Sequence, residues 1–188
     1  MTFNRRHLVG LLFVPLLALG ACSSDETSVD SSPETTSEEI QPPIGIGETG
    51  NSDGVELKVE EVWSSPTVTL NGKTKEAPQD GKYVYVKTAG KNDGKNSIRL
   101  VCDGNIDTVV TDSQGRTFDA LDRSSDYKGN PQCGDRTQPG FDLPEMTYLY
   151  LAPGDAEIET FQWYQVNQEV NAPSGPLVSV NIAPVETR

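Results

Sequence analysis

Apolar residues in this chain recur at every second position over short runs, and no long run keeps the period of an amphipathic helix. Val55, Leu57 and Val59 alternate with Glu56, Lys58 and Glu60, which predicts a half-buried strand running to Trp63. Ile44–Gly47 reads as a short opening strand and Gly50–Gly54 as a turn. Thr67–Leu70 followed by Asn71-Gly72 predicts a type I′ hairpin, because both loop positions of that turn need positive φ. Tyr83–Ala89 is the clearest strand, with Val84 and Val86 inward and Tyr83 and Tyr85 on the other face.

Beyond the turn at Asn92-Asp93-Gly94, the residues Ile98, Leu100 and Cys102 read as one face of a strand. Ile106, Thr108 and Val110 form the next, and Asp112-Ser113-Gln114-Gly115 turns the chain back into Arg116-Thr117-Phe118. A long irregular stretch, 119–145, precedes a strand over Met146–Leu151. After Pro153-Gly154-Asp155 comes another strand, Ala156–Tyr164, whose parity slips between Ile158 and Phe161 and so predicts a bulge. Leu177–Ile182 reads as the final strand. Seven or more short strands with turns at this spacing predict an all-β antiparallel sandwich over residues 44–188.

The N-terminus follows a different pattern. Arg5, Arg6 and His7 precede an apolar run over Leu8–Leu19, and small residues then lead to Cys22. Charge, a short apolar run and small residues mark an export signal over residues 1–21. The run falls short of the roughly 20 apolar residues that a spanning helix needs. Leu19-Gly20-Ala21-Cys22 looks like a lipobox, the signal for diacylglycerol on the Cys22 thiol and cleavage just before it. Two or more acyl chains, as on a palmitate-bearing lipoprotein cysteine, give stable anchoring where one does not. The expected location is therefore the outer face of the cell membrane, held through Cys22. The paired arginines fit both a twin-arginine and a general secretory route.

Residues 22–43 are rich in Ser, Thr and Pro and carry six acidic residues with no basic one. Such a segment cannot bury enough apolar surface to offset its chain entropy, so it is expected to be a disordered linker. Removing 1–21 leaves 13 basic residues against all 28 acidic ones, a net charge of −15. That balance repels phosphate backbones and makes nucleic acid an unsuitable partner.

The single histidine, His7, lies in the leader. The mature chain thus lacks the commonest general base and metal ligand, and no other nucleophile–base spacing is recognisable. The expectation is a protein that is not an enzyme, with no catalytic residue, cofactor or metal site. Asp103, Asn105 and Asp107 imitate the start of a calcium loop. Thr108 stands where that loop requires Gly, and Gln114 where it requires a bidentate Glu. With Cys22 assigned to lipid, Cys102 and Cys133 remain. In an oxidising compartment such a pair reads as a disulfide rather than two buried thiols, and it would staple the 119–145 loop to the chain before it.

Several of these segments together resemble a known family. They are Gly81-Lys82-Tyr83-Val84-Tyr85-Val86 leading to Asn92-Asp93-Gly94, Val110–Phe118, and Leu151-Ala152-Pro153-Gly154 before a β run holding Phe161. They are similar to bacterial extracytoplasmic lipoproteins with an immunoglobulin-like (telokin-like) domain of unknown function. The resemblance covers about residues 45–165 and implies an immunoglobulin-like sandwich with no established activity, cofactor or catalytic residue. The cysteine pair and the long loop depart from it. Two readings of function follow. In the first, the domain binds a protein or cell-wall partner through the stapled loop and an aromatic face made of Tyr83, Tyr85, Tyr148 and Tyr150, four residues that the pattern also allows to be covered by the other sheet or by loop 119–145. In the second, it carries a small ligand or cation in a cleft beside 119–145.

Overall fold

The computed structural model describes residues 42–188; the leader, Cys22 and the linker as far as residue 41 lie outside the described residues. The strands are β1 (Ile44–Gly45), β2 (Thr49–Ser52), β3 (Val55–Ser65), β4 (Thr67–Leu70), β5 (Lys73–Glu76) and β6 (Lys82–Asn92). They continue as β7 (Ile106–Asp112), β8 (Thr117–Asp119), β9 (Phe141–Ala152), β10 (Ile158–Asn167), β11 (Ala172–Pro173), β12 (Val178–Asn181) and β13 (Glu186–Thr187). A single 3₁₀ turn, Ser124–Asp126, interrupts the long loop.

The chain folds as an antiparallel β-sandwich. One sheet runs β1-β12-β10-β7-β8, with β11 beside β10; the other runs β13-β3-β6-β9, with β2 beside β3. Only the two-residue strands β1 and β13 pair in parallel, with β12 and β3. The facing sides bury Val55, Leu57, Val84 and Val86 from one sheet against Val110, Phe161, Trp163 and Val180 from the other. Strand alternation puts those positions on one side because successive side chains point to opposite faces.

The hairpin signal at Asn71-Gly72 is realised, with φ values of 49° and 72° joining β4 to β5. The parity slip is also present, as a register shift between Ile158 and Thr160 where β10 meets β7. Four expectations are corrected. The stretch expected to be irregular over 119–145 ends earlier, because β9 already begins at Phe141 and pairs with β6 there. Residues 50–52, read as part of a turn, pair with β3 within β2, and the turn tightens to Asp53-Gly54. Glycine fits there because a Cβ on Gly50 would lie 2.4 Å from Val178 Cγ1. The strand expected through Ile98, Leu100 and Cys102 is a loop: Cys102 and Asp103 adopt φ of 55° and 58°, and Asn105 binds back to Arg99 through both backbone and side chain. Its apolar residues are buried all the same, which is why they imitate strand alternation. The last strand of the chain is β13, beyond the one expected to close the domain.

A second, smaller core lies on the outer side of the β3-β6-β9 sheet. Val68 and Leu70 of the β4–β5 hairpin, with Leu121 and Tyr127 of the long loop, cover Tyr83, Tyr85 and Leu149 there. Tyr85 stacks on Trp63 at 4.8 Å and donates its hydroxyl to Thr67 O at 2.7 Å.

Candidate functional site

The aromatic face expected from Tyr83, Tyr85, Tyr148 and Tyr150 does not exist as a surface. In the β6–β9 ladder Tyr83 faces Leu151 and Tyr85 faces Leu149, whereas Tyr148 pairs with Val86 and Tyr150 with Val84. The two tyrosine pairs therefore point to opposite sides of the sheet. Tyr148 and Tyr150 enter the central core, and Tyr83 and Tyr85 lie under the hairpin and the loop. None of the four exceeds 7% exposure. The period-two rule places each pair correctly; which sides were already covered by other elements was not visible along the strand.

The long loop has a structural task that explains part of its length. After β8 the chain crosses from one sheet to the other, and Ala120 and Leu121 pair with β9 at Tyr150 and Leu149. Farther on, buried Asn130 donates to Ser124 O at 2.7 Å and Thr147 O at 2.8 Å, and its Oδ1 accepts from Thr147 N at 2.8 Å. One side-chain amide thus stands in for a neighbouring strand and closes the free edge of β9, the kind of edge that otherwise invites intermolecular pairing. Cys102 and Cys133 are joined as a disulfide with Cα atoms 5.4 Å apart, pinning the loop to the chain entering β7.

Between that pinned chain, the crossing segment and β9 there is a half-open cleft of about 390 Å³. This is within the roughly 300–1,000 Å³ of small-molecule pockets. Its apolar walls include Leu100, Val101, Ile106 and Leu121, and the Cys102 end of the disulfide borders it. Asp103, Asp107 and Asp122 also line it, all three exposed, and among the described residues no lysine or arginine does. Asp107 is partly engaged, since its Oδ2 accepts from Tyr164 at 2.7 Å and its Oδ1 from Thr108 N at 2.9 Å. The bond to Asp107, with burial second, pushes the Tyr164 hydroxyl up to about 12.

Two β9 tyrosines, Tyr148 and Tyr150, differ sharply in how their hydroxyls are treated. Tyr150 donates to Thr108 Oγ1 at 2.7 Å, a bond between two buried groups. Tyr148 lines the cleft, is 3% exposed, and its hydroxyl has no hydrogen-bond partner among the described residues. Burial raises its pKa well above the ordinary tyrosine value, so the phenol stays protonated and remains a donor. A buried hydroxyl without a partner costs about 1–3 kcal/mol, a cost that a bound acceptor would relieve.

Of the residues that imitate a calcium loop, Asn105 Oδ1 accepts from Arg99 N at 3.0 Å, Asp107 is engaged by Tyr164 and Thr108, and Asp103 is engaged through its backbone carbonyl, which accepts from Arg99 at 3.1 Å and from Gln168. Among the described residues no three His, Cys, Asp or Glu side chains converge as metal ligands.

No protein-family profile and no curated protein matches the chain. Solved structures do. The yjhA protein from Bacillus subtilis aligns with a TM-score of 0.50 at 16% identity, over 74% of this chain and 98% of that one. An uncharacterized β-sandwich protein from Clostridium difficile aligns at 0.47 and 15%, over 77% and 97%. A candidate lipoprotein from Staphylococcus aureus aligns at 0.44 and 16%, over 80% and 95%. At these identities the likeness is one of fold, and the fold it shares is the β-sandwich.

Proposed function

We propose that this chain is a lipid-anchored protein of the cell envelope whose sandwich is a non-catalytic binding module, with its ligand held in the cleft beside the stapled loop. The cleft carries the reading: it has small-molecule dimensions, a buried donor unpaired among the described residues, and a boundary fixed by a disulfide. Envelope anchoring is supported by the lipobox at Cys22 and by a disulfide suited to an oxidising compartment. A non-catalytic role is supported by the confinement of the only histidine to the leader.

The immunoglobulin-like subtype is supported by strand order. With β3, β6 and β9 taken as A, B and E, and β7, β8, β10 and β12 as C, C′, F and G, the sheets run A-B-E and G-F-C-C′. The pairing of Ala120 and Leu121 with β9 then occupies the place of a shortened strand D.

The test is a thermal-shift screen with low-molecular-weight fractions of envelope extract, comparing the wild-type sequence with Ala120→Met, which fills the cleft from its wall. At least one fraction should raise the melting temperature of the first and not of the second. Equal responses from both, or none from either, would contradict the cleft as the binding site.

A further inference from the structure

Resting on that cleft, the chemistry of its lining identifies the class of ligand. A metal ion does not suit it, because no triad of ligating side chains converges among the described residues. An anion does not suit it either: three aspartates and no basic side chain line the opening. The chain is also strongly acidic, so its field repels anions and draws cations toward the opening. A neutral sugar would need a dense set of polar partners or an exposed aromatic platform, and the one tyrosine here presents a buried hydroxyl instead.

What the lining does offer is polar at two places and apolar between them. Among the described residues Asp103 and Asp122 have no hydrogen-bonded side-chain partner, and their exposed carboxylates suit a cationic head. Leu100, Val101, Ile106 and Leu121 suit a hydrocarbon body, whose burial is favourable at about 25 cal/mol per Å². The protonated, unpartnered Tyr148 hydroxyl suits a hydrogen-bond acceptor at the far end. We propose that the cleft binds an amphipathic organic cation: an ammonium head at the aspartates, an apolar body along the walls, and an acceptor oxygen or nitrogen that reaches Tyr148 Oη.

The probes are ω-methoxyalkylamines with three to seven methylenes, together with the alcohols and carboxylates of equal length, titrated calorimetrically into the full chain carrying Cys22→Ala. The amine of best length should bind at least tenfold tighter than its alcohol at low salt, and the gap should narrow in high salt as the charges are screened. The carboxylate should show no binding. Asp103→Asn with Asp122→Asn should weaken the amine about fivefold and leave the alcohol within twofold. Tyr148→Phe should weaken amine and alcohol alike by about fivefold, the worth of one hydrogen bond, and should leave the ether-free alkylamine unaffected. A purely structural role for Tyr148 would not separate ether-bearing from ether-free probes.

A carboxylate or alcohol that binds as tightly as the amine overturns the proposed ligand class. The same holds if no probe binds while an extract fraction still distinguishes wild type from Ala120→Met; in that case the cleft stands and the organic cation falls. Probe binding untouched by Ala120→Met, or by Ala120→Val should the first variant not fold, overturns the site and the class together.

Discussion

Replacing Tyr148 with phenylalanine removes a single oxygen from the interior, and the surroundings of that oxygen dictate an unusual outcome. Truncating a buried tyrosine normally destabilises, because a hydrogen bond is lost and its partner is left unsatisfied. Tyr150 is the ordinary case. Its hydroxyl donates to Thr108 at 2.7 Å, and Thr108 is itself 3% exposed. Tyr150→Phe should therefore cost about 1–2 kcal/mol. Tyr148, on the same face of the same strand, has no partner to lose, and the buried hydroxyl carries a desolvation penalty of about 1–3 kcal/mol. In ligand-free protein Tyr148→Phe should raise stability by about 1 kcal/mol, the low end of that range. For a domain of this size that is about 2–4 °C in Tm. Urea unfolding at constant m-value measures both variants against wild type. If Tyr148→Phe destabilises as much as Tyr150→Phe, the hydroxyl is already satisfied, and the vacancy on which the binding site depends is not there.

The other predictions are more conventional. Cys102→Ser with Cys133→Ser opens a cross-link spanning 31 residues, which should cost up to about 3.7 kcal/mol and raise local hydrogen exchange in the loop; unchanged unfolding would contradict the staple. Asn130→Leu leaves the Thr147 backbone unpaired at the β9 edge, so about 2–3 kcal/mol should be lost and the variant should aggregate at lower concentration; sedimentation of a monomer at wild-type stability would count against the edge-closing role. Cys22→Ala should move the protein from membrane to soluble fractions, and persistent membrane association would rule out an anchor at that position. Tyr85 is pushed up to about 12, mainly by burial, and Tyr164 to about 12, mainly by Asp107. Folded pKa values above the unfolded value of 10.0 mean that stability is complete below pH 10 and declines as pH rises toward 12. Melts across that range check the window, and alkaline transitions complete by pH 10 would refute it.

How much was legible from the residues depended on whether the signal was local. Asn71-Gly72 and Asp112–Gly115 carry their own turn chemistry, and Val84/Val86 against Tyr83/Tyr85 is pure pleat geometry; all were readable along the chain. The Ile98–Cys102 segment misled because burial, not extended backbone, spaces its apolar residues. β2 and β13 are held by pairing with β3 across the sequence, and Gly50 looked like a turn residue when it serves a close approach to Val178. The site was legible only in part. Cys102, Cys133 and the neighbourhood of 119–145 stood out, but the Tyr148 hydroxyl becomes special through what fails to approach it in space. Four tyrosines that alternate in sequence left exposure and coverage both open, and the structure roofs two of them with a hairpin and a loop.

The most direct measurement is a heteronuclear NMR titration of the full chain carrying Cys22→Ala with the ω-methoxyalkylamine of best length. The account predicts saturable shifts confined to residues 100–108, 120–124 and Tyr148, absent in Ala120→Met and reduced in Tyr148→Phe. Shifts centred elsewhere, for example around the exposed Phe141 or Val170, or a perturbation that never saturates, would contradict it.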